Sequence, residues 1–292
     1  MISLFVLFLF FSFESCRSIS TSQHHSGLVV TEAAVTPRQA GQTHVLKLAA
    51  DPIPLVRIAF IGVGNRGESA VHRYTFMEGV EIKALCDLVE EKVQRSQQLL
   101  LNKNLPRAEA YVGEDAWKKV CERDDIDLVY ICTDWLSHTP IAVYAMKHGK
   151  HVAIEVPAAT TVDECWQLVN TAEITRRHCM MLENCCYDFF ELNTLHMVQK
   201  GLFGEIVHAE GAYIHELRSQ LDSGTSWRTK FYESFNGNPY PTHGFGPVCQ
   251  VMNIHRGDKL NYLVSVSSNQ FGMTAYLKEK FGESSPEASK HY

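Results

Sequence analysis

V-R-I-A-F-I-G-V-G-N-R-G, running from Val56 to Gly67, is the stretch whose reading decides the fold. Val56, Ile58, Phe60 and Ile61 form an apolar, largely β-branched run that stops abruptly at Gly62, with Gly64 and Gly67 completing G-x-G-x-x-G spacing. A buried parallel strand, a tight turn and a helix start explain all three glycines. The first permits the turn, the second lets a pyrophosphate approach the backbone, and the third lets helix and strand pack closely. The phosphate charge is then met by N–H groups at the helix start. Asp87 closes the next apolar run about 20 residues after Gly67, where a ribose-binding carboxylate belongs. An acid there favours NAD over NADP, because it repels a 2′-phosphate.

Outward from that stretch, apolar strand patterns at 80–86, 128–132, 151–155 and 179–182 alternate with helix-period segments at 90–101, 114–120, 140–148 and 162–175. This βαβ alternation predicts a Rossmann-type, doubly wound parallel sheet over residues 55–184, with helices on both faces. The carboxyl ends of its later strands should line the ligand crevice. They offer Thr133-Asp134-Trp135-Leu136-Ser137-His138, then Glu155-Val156-Pro157, then Glu183-Asn184.

Residues 185–292 read as the first part of an α+β domain, incomplete in this chain. Its expected elements are a helix over 189–199, a long strand over 205–215, a helix over 244–253 and a second strand over 262–270. Two strands do not make a stable sheet alone. Tyr213, His215, Arg228, Tyr240 and His243 gather here in loops or at strand ends, where binding groups concentrate. His215-Glu216 begins like a zinc-protease helix, but Ser219 occupies the place of the second histidine, and no metal site is expected.

The N-terminus reads differently. Residues 2–13 are almost wholly apolar, too short to span a bilayer and suited to the core of a signal peptide over 1–16. Cys16 is the candidate lipid-bearing residue of a mature bacterial lipoprotein, which would place the protein in the periplasm or on the outer membrane. Residues 17–54, polar and aperiodic, read as a linker. The net charge of −6 with no basic run argues against nucleic acid. Nine cysteines without a C-x-x-C read as mostly free, buried thiols.

The first domain resembles the glucose–fructose oxidoreductase and inositol dehydrogenase superfamily, whose members carry Glu-Lys-Pro where this chain has Glu155-Val156-Pro157. The fuller pattern G-N-R-G, W-L-S-H, E-V-P, E-N, A-Y-I-H-E-L-R, W-R and N-P-Y-P-T-H-G is similar to glycoside hydrolase family 109, the NAD-dependent α-N-acetylgalactosaminidases. That resemblance implies that Asn65, Arg66, Asp87, Trp135, Leu136, Ser137, His138, Glu155, Val156 and Asn184 hold NAD beside the glycine loop. It assigns Tyr213, Arg228, Tyr240, Pro241, Thr242 and His243 to the sugar, with His243 the first choice for acid–base work and Tyr213 and Tyr240 positioning hydroxyls. The implied reaction is hydrolysis by oxidation, elimination, water addition and reduction, which regenerates the cofactor and dispenses with a carboxylate pair. Family members extend beyond this length, so the chain is expected to be a fragment. Two other readings stay open: a net NAD-dependent sugar dehydrogenase, against which Val156 stands in place of lysine, and an inactive binding remnant.

Overall fold

The computed structural model describes residues 36–221, 227–235, 237–267 and 271–290. The expected signal peptide, Cys16 and residues 17–35 of the expected linker lie outside the described residues. The chain divides into two compact units, Thr36–Glu183 and the residues from Asn184 onward.

The first unit alternates strands and helices as expected: β1 (Val56–Ile61), α1 (Asn65–Tyr74), β2 (Val80–Asp87), α2 (Glu90–Asn102), β3 (Glu109–Val112), α3 (Ala116–Cys121), β4 (Leu128–Ile131), α4 (Trp135–Lys147), β5 (His151–Ile154), α5 (Val162–Thr175) and β6 (Cys179–Met181). All six strands are parallel, in the order β3-β2-β1-β4-β5-β6. That is the Rossmann arrangement, with its crevice at the carboxyl ends of β1 and β4, where the winding reverses.

Alternation along β1 sends side chains to two separate cores. Ile58 and Phe60 join Val71 of α1, Val93 and Leu100 of α2, Leu85 and Tyr130 on one face. Ala59 and Ile61 join Val129, Ile131 and Ile154 with Val120 of α3, Ile141 and Met146 of α4 and Leu168 of α5 on the other. Both faces are covered, so the strands read as continuous apolar runs. Burying each large side chain contributes roughly 1.5–3 kcal/mol. Cys86 and Cys121 serve as small core residues, and burial pushes both thiols up to about 12.

Three features depart from the sequence expectation. β3 was not anticipated; it is a four-residue edge strand with exposed side chains and carries no apolar run. α4 begins at Trp135 rather than Pro140, because Asp134 caps it: Oδ1 accepts from the backbone N–H groups of Leu136 (3.1 Å) and Ser137 (3.2 Å). Pro140 then sits inside the helix at the cost of one backbone hydrogen bond. Residues 36–54 are not a free tether. Arg38 grips Glu173 through two 2.8 Å bonds, Gln42 bonds Asn170 (2.9 Å), and Val45 packs on the core. Arg38 also holds the buried Glu173 carboxyl below its usual range.

The second unit contains a 3₁₀ turn (Asn184–Tyr187), α6 (Phe189–Gln199), α7 (Arg218–Leu221), α8 (Trp227–Tyr232), α9 (Pro241–Val251) and α10 (Phe271–Phe281), with a closing 3₁₀ turn at Glu287–Ser289. Neither expected strand forms among the described residues. Positions 205–215 and 261–267 are irregular, and 268–270 lie outside the description. Their β-branched and aromatic side chains suit a strand, but strand propensity is realised only against a hydrogen-bonding neighbour, and no described segment pairs with either. No helix among the described residues is long and apolar enough to cross a membrane.

Candidate active site

In the first unit the glycine loop meets the physical demands its spacing implies. Gly62 has φ +84°, and a Cβ there would lie 2.6 Å from the Cys132 carbonyl carbon, so the turn between β1 and α1 admits no side chain. At Gly67 a Cβ would lie 1.9 Å from the Gly62 carbonyl oxygen, which sets how closely α1 packs. Gly64 is different. A Cβ there would meet nothing nearer than the Lys92 ammonium at 3.8 Å, leaving an open surface at the helix start. Gly64 is also the N-cap of α1 and offers no side-chain cap to the first N–H groups. An open glycine before uncapped helical N–H groups fits a dinucleotide pyrophosphate. Asn65 and Arg66 open that helix.

Asp87 ends β2, buried, with both carboxylate oxygens engaged. Oδ2 accepts from Val63 N (2.9 Å) and Oδ1 from Val89 N (3.0 Å), while Lys92 Nζ stands 3.4 Å from Oδ1. The carboxylate therefore ties the glycine loop to the start of α2. Glu155, at the end of β5, is also buried. It accepts from the Tyr130 hydroxyl (2.7 Å) and pairs with Arg66 Nε (2.9 Å), fixing Arg66 at the crevice mouth. Burial and the Glu155 charge raise the Tyr130 hydroxyl above its ordinary range, so it remains a donor. Val156 beside it is buried and has no group to exchange a proton.

The W-L-S-H segment forms the first turn of α4. Leu136 is exposed and Ser137 half-buried, whereas Trp135 and His138 are enclosed. His138 Nδ1 lies 2.8 Å from the Pro157 carbonyl oxygen and Nε2 lies 3.2 Å from that of Thr133. Burial lowers its pKa, so the neutral ring donates one N–H, which we assign to the shorter contact. Capping by Asp134 and bracing by His138 give this motif a structural reason. Asn184 begins the second unit.

In that second unit, Gly211 and Gly244 pass backbone to backbone. A Cβ at Gly211 would lie 2.3 Å from the Gly244 carbonyl oxygen. This approach sets Tyr213 against the start of α9. Ring centroids of Tyr213 and Tyr240 are 5.2 Å apart, those of Tyr213 and His243 are 4.9 Å apart, and Tyr240 stacks on His243 at 5.2 Å. Arg228 Nε donates to the Tyr240 hydroxyl (3.2 Å), and its guanidinium lies over Trp227. A cavity of about 570 Å³ is lined by Tyr213, His215, Arg228, Tyr232 and Tyr240, among others. Pro241 is the first residue of α9, and Thr242 Oγ1 is sealed from solvent with no hydrogen bond among the described residues. His243 is half-buried; it stacks on the two tyrosines, and its Nδ1 lies 3.4 Å from Cys185 Sγ. Sequence reading had missed four participants. Tyr130 and Tyr232 look like core aromatics, and Lys92 and Cys185 carry no local signal. Burial, with Tyr240 adding to it, pushes the Tyr232 hydroxyl up to about 12.

The sheet order, open glycine and buried acids define a dinucleotide-binding protein of the Rossmann class, followed by a unit with a cavity lined by tyrosines and Arg228. Residues 56–183 match the family described as an oxidoreductase family with an NAD-binding Rossmann fold, and residues 187–292 match the glycosyl hydrolase 109 C-terminal domain. Over most of its length the chain is similar to proteins of glycosyl hydrolase family 109. An alpha-N-acetylgalactosaminidase of Bacteroides fragilis is 61% identical over 258 residues, covering 86% of this chain and 61% of that protein. A glycosyl hydrolase family 109 protein of Phocaeicola vulgatus is 57% identical over 256 residues, covering 85% and 62%. The chain thus spans about three fifths of the length of these curated relatives. A solved myo-inositol 2-dehydrogenase of Lactobacillus plantarum, 22% identical, shares the fold with a TM-score of 0.52 over 65% of this chain and 51% of its own. The first unit is built for a nicotinamide cofactor.

Proposed function

We propose that this chain carries the cofactor and sugar sites of a glycosidase that hydrolyses terminal α-linked N-acetylgalactosamine with NAD. The observation that supports this most directly is the joining of Tyr213, Arg228 and Tyr240 at a cavity of about 570 Å³, with His243 stacked against the two tyrosines. The likeness to a relative bearing that activity adds to it. When bound, the dinucleotide supplies reversible oxidation at a sugar carbon, the chemistry that ordinary carboxylate glycosidases lack.

The chain's own residues do the remaining work. Arg228 and the Tyr240 hydroxyl form one donor–acceptor pair along the cavity wall, suited to the hydroxyls and amide of an N-acetyl sugar. Tyr213 packs against His215, Tyr240 and His243 and offers a phenol at the same wall. His243 is the acid–base group. Its Nδ1 lies 3.4 Å from Cys185 Sγ, and a positioned imidazole suits proton exchange with a sugar near neutral pH. Asn65, Arg66 and the glycine loop receive the pyrophosphate, Glu155 holds Arg66 in place, and Asp87 favours NAD by its negative charge at the ribose.

The test is a chromogenic α-N-acetylgalactosaminide, run without added cofactor while absorbance at the NADH band is followed. Aglycone release with no net NADH is the expected result. Stoichiometric NADH build-up would replace the glycosidase with a dehydrogenase, and silence in both channels would leave a binding protein.

A further inference from the structure

Lys92 is the third residue of α2 and was given no role by its sequence context. Its ammonium lies at the meeting point of two features of the nucleotide site. It stands 3.4 Å from Asp87 Oδ1 and 3.8 Å from where a Cβ on Gly64 would project. Asp87 is anchored independently by the backbone N–H groups of Val63 and Val89, so it does not depend on Lys92 for its position. The ammonium carries three donors and its side chain is 38% exposed, so beyond Asp87 it can still meet a ligand. The acids nearest in sequence, Glu90 and Glu91, lie in the first turn of α2, and Glu91 together with Glu68 is paired to Arg95.

We propose that Lys92 is a specificity-determining residue of the dinucleotide site: it offsets the Asp87 charge and gives a 2′-phosphate a cationic partner over the open glycine. This rests on the reading of the first unit as a nicotinamide dinucleotide site. An acid alone at the end of β2 repels a 2′-phosphate. An acid already paired with an ammonium presents little net charge there, and the ammonium supplies a charge-assisted hydrogen bond. The preference for NAD that Asp87 sets is therefore narrowed, and NADP keeps measurable affinity.

Binding of NAD and of NADP to the full chain, freed of copurified nucleotide, is measured by calorimetry at two salt concentrations. The wild-type chain is expected to bind both, NAD the more tightly. Lys92→Gln should weaken NADP about tenfold and NAD no more than about threefold, a charge-assisted contact being the interaction lost. Lys92→Arg should preserve NADP binding, and NADP affinity should fall with salt more steeply in the wild type than in Lys92→Gln. Equal losses for the two nucleotides, or no loss for NADP, would overturn the inference while leaving the cofactor site standing. Failure of the wild type to bind either nucleotide would remove the cofactor reading and this inference together.

Discussion

The two units handle their apolar side chains in opposite ways. In the first, Ile58, Phe60, Val71, Leu85 and Ile131 are wholly enclosed between sheet and helices. In the second, Phe189, Phe190, Val207 and Ile214 are more than 75% exposed, and among the described residues full burial of apolar side chains is confined to a few such as Leu221 and Leu277. The difference separates two ways of building a site. The nucleotide cradle is a by-product of a sheet that is complete in itself, so its geometry follows from the core. The aromatic cavity is assembled on short helices and irregular segments, and depends on a handful of direct contacts such as Gly211 against Gly244.

Hydrogen exchange gives the largest contrast. Amides of β1 and β4 should exchange through global unfolding, and those of residues 205–215 through local opening, with rates differing ~10³-fold or more. Comparable protection in both would dissolve the distinction. The next effect is on catalysis. His243→Ala should lower turnover about 10²- to 10⁴-fold with NAD binding near normal, because the acid–base group proposed lies in the second unit and the glycine loop in the first. A parallel loss of NAD affinity in calorimetry would show that His243 is structural and move the search for the base to His215 or Tyr213.

Gly67→Ala tests the first unit in the same way. A methyl 1.9 Å from the Gly62 carbonyl oxygen must push α1 off the sheet, at a cost of about 1–3 kcal/mol in denaturant unfolding. Unchanged stability would mean that the helix start yields easily. The smallest effect concerns Asp127, which accepts from Arg57 N and Nε at 2.9 Å and from Nη2 at 2.6 Å. These bonds hold its carboxyl below the usual range. Its contribution is therefore fully present above the unfolded value of about 3.9 and is lost as pH falls through the lower folded value. Asp127→Asn should flatten the acid limb of the stability curve of the first unit and leave the pH response of the second unchanged. An acid limb identical to that of the wild type would show that the pair carries no linkage.

Much of the first unit was legible because each signal there is local. A β-branched run, three glycines at set spacing and an acid closing the following strand are consequences of chain geometry within one βαβ unit, and they specify where the phosphate side of a dinucleotide must lie. The helix over 162–175 was equally plain, and Thr161 with Glu164 closes its N-terminus as a capping box. The start of α4 was misplaced because Pro140 is a stronger sequence cue than Asp134, although the cap governs the backbone.

The sequence by itself determined the class of fold and the glycine loop, because periodicity and turn chemistry act over a few neighbouring residues. Only the tertiary structure decided that 205–215 is irregular, since a strand exists only with a partner. It alone joined Lys92 to Asp87, Glu155 to Arg66 and Tyr130, and Cys185 to His243. Those pairs link residues up to 89 positions apart, and no local pattern encodes which distant side chain will arrive within hydrogen-bond reach.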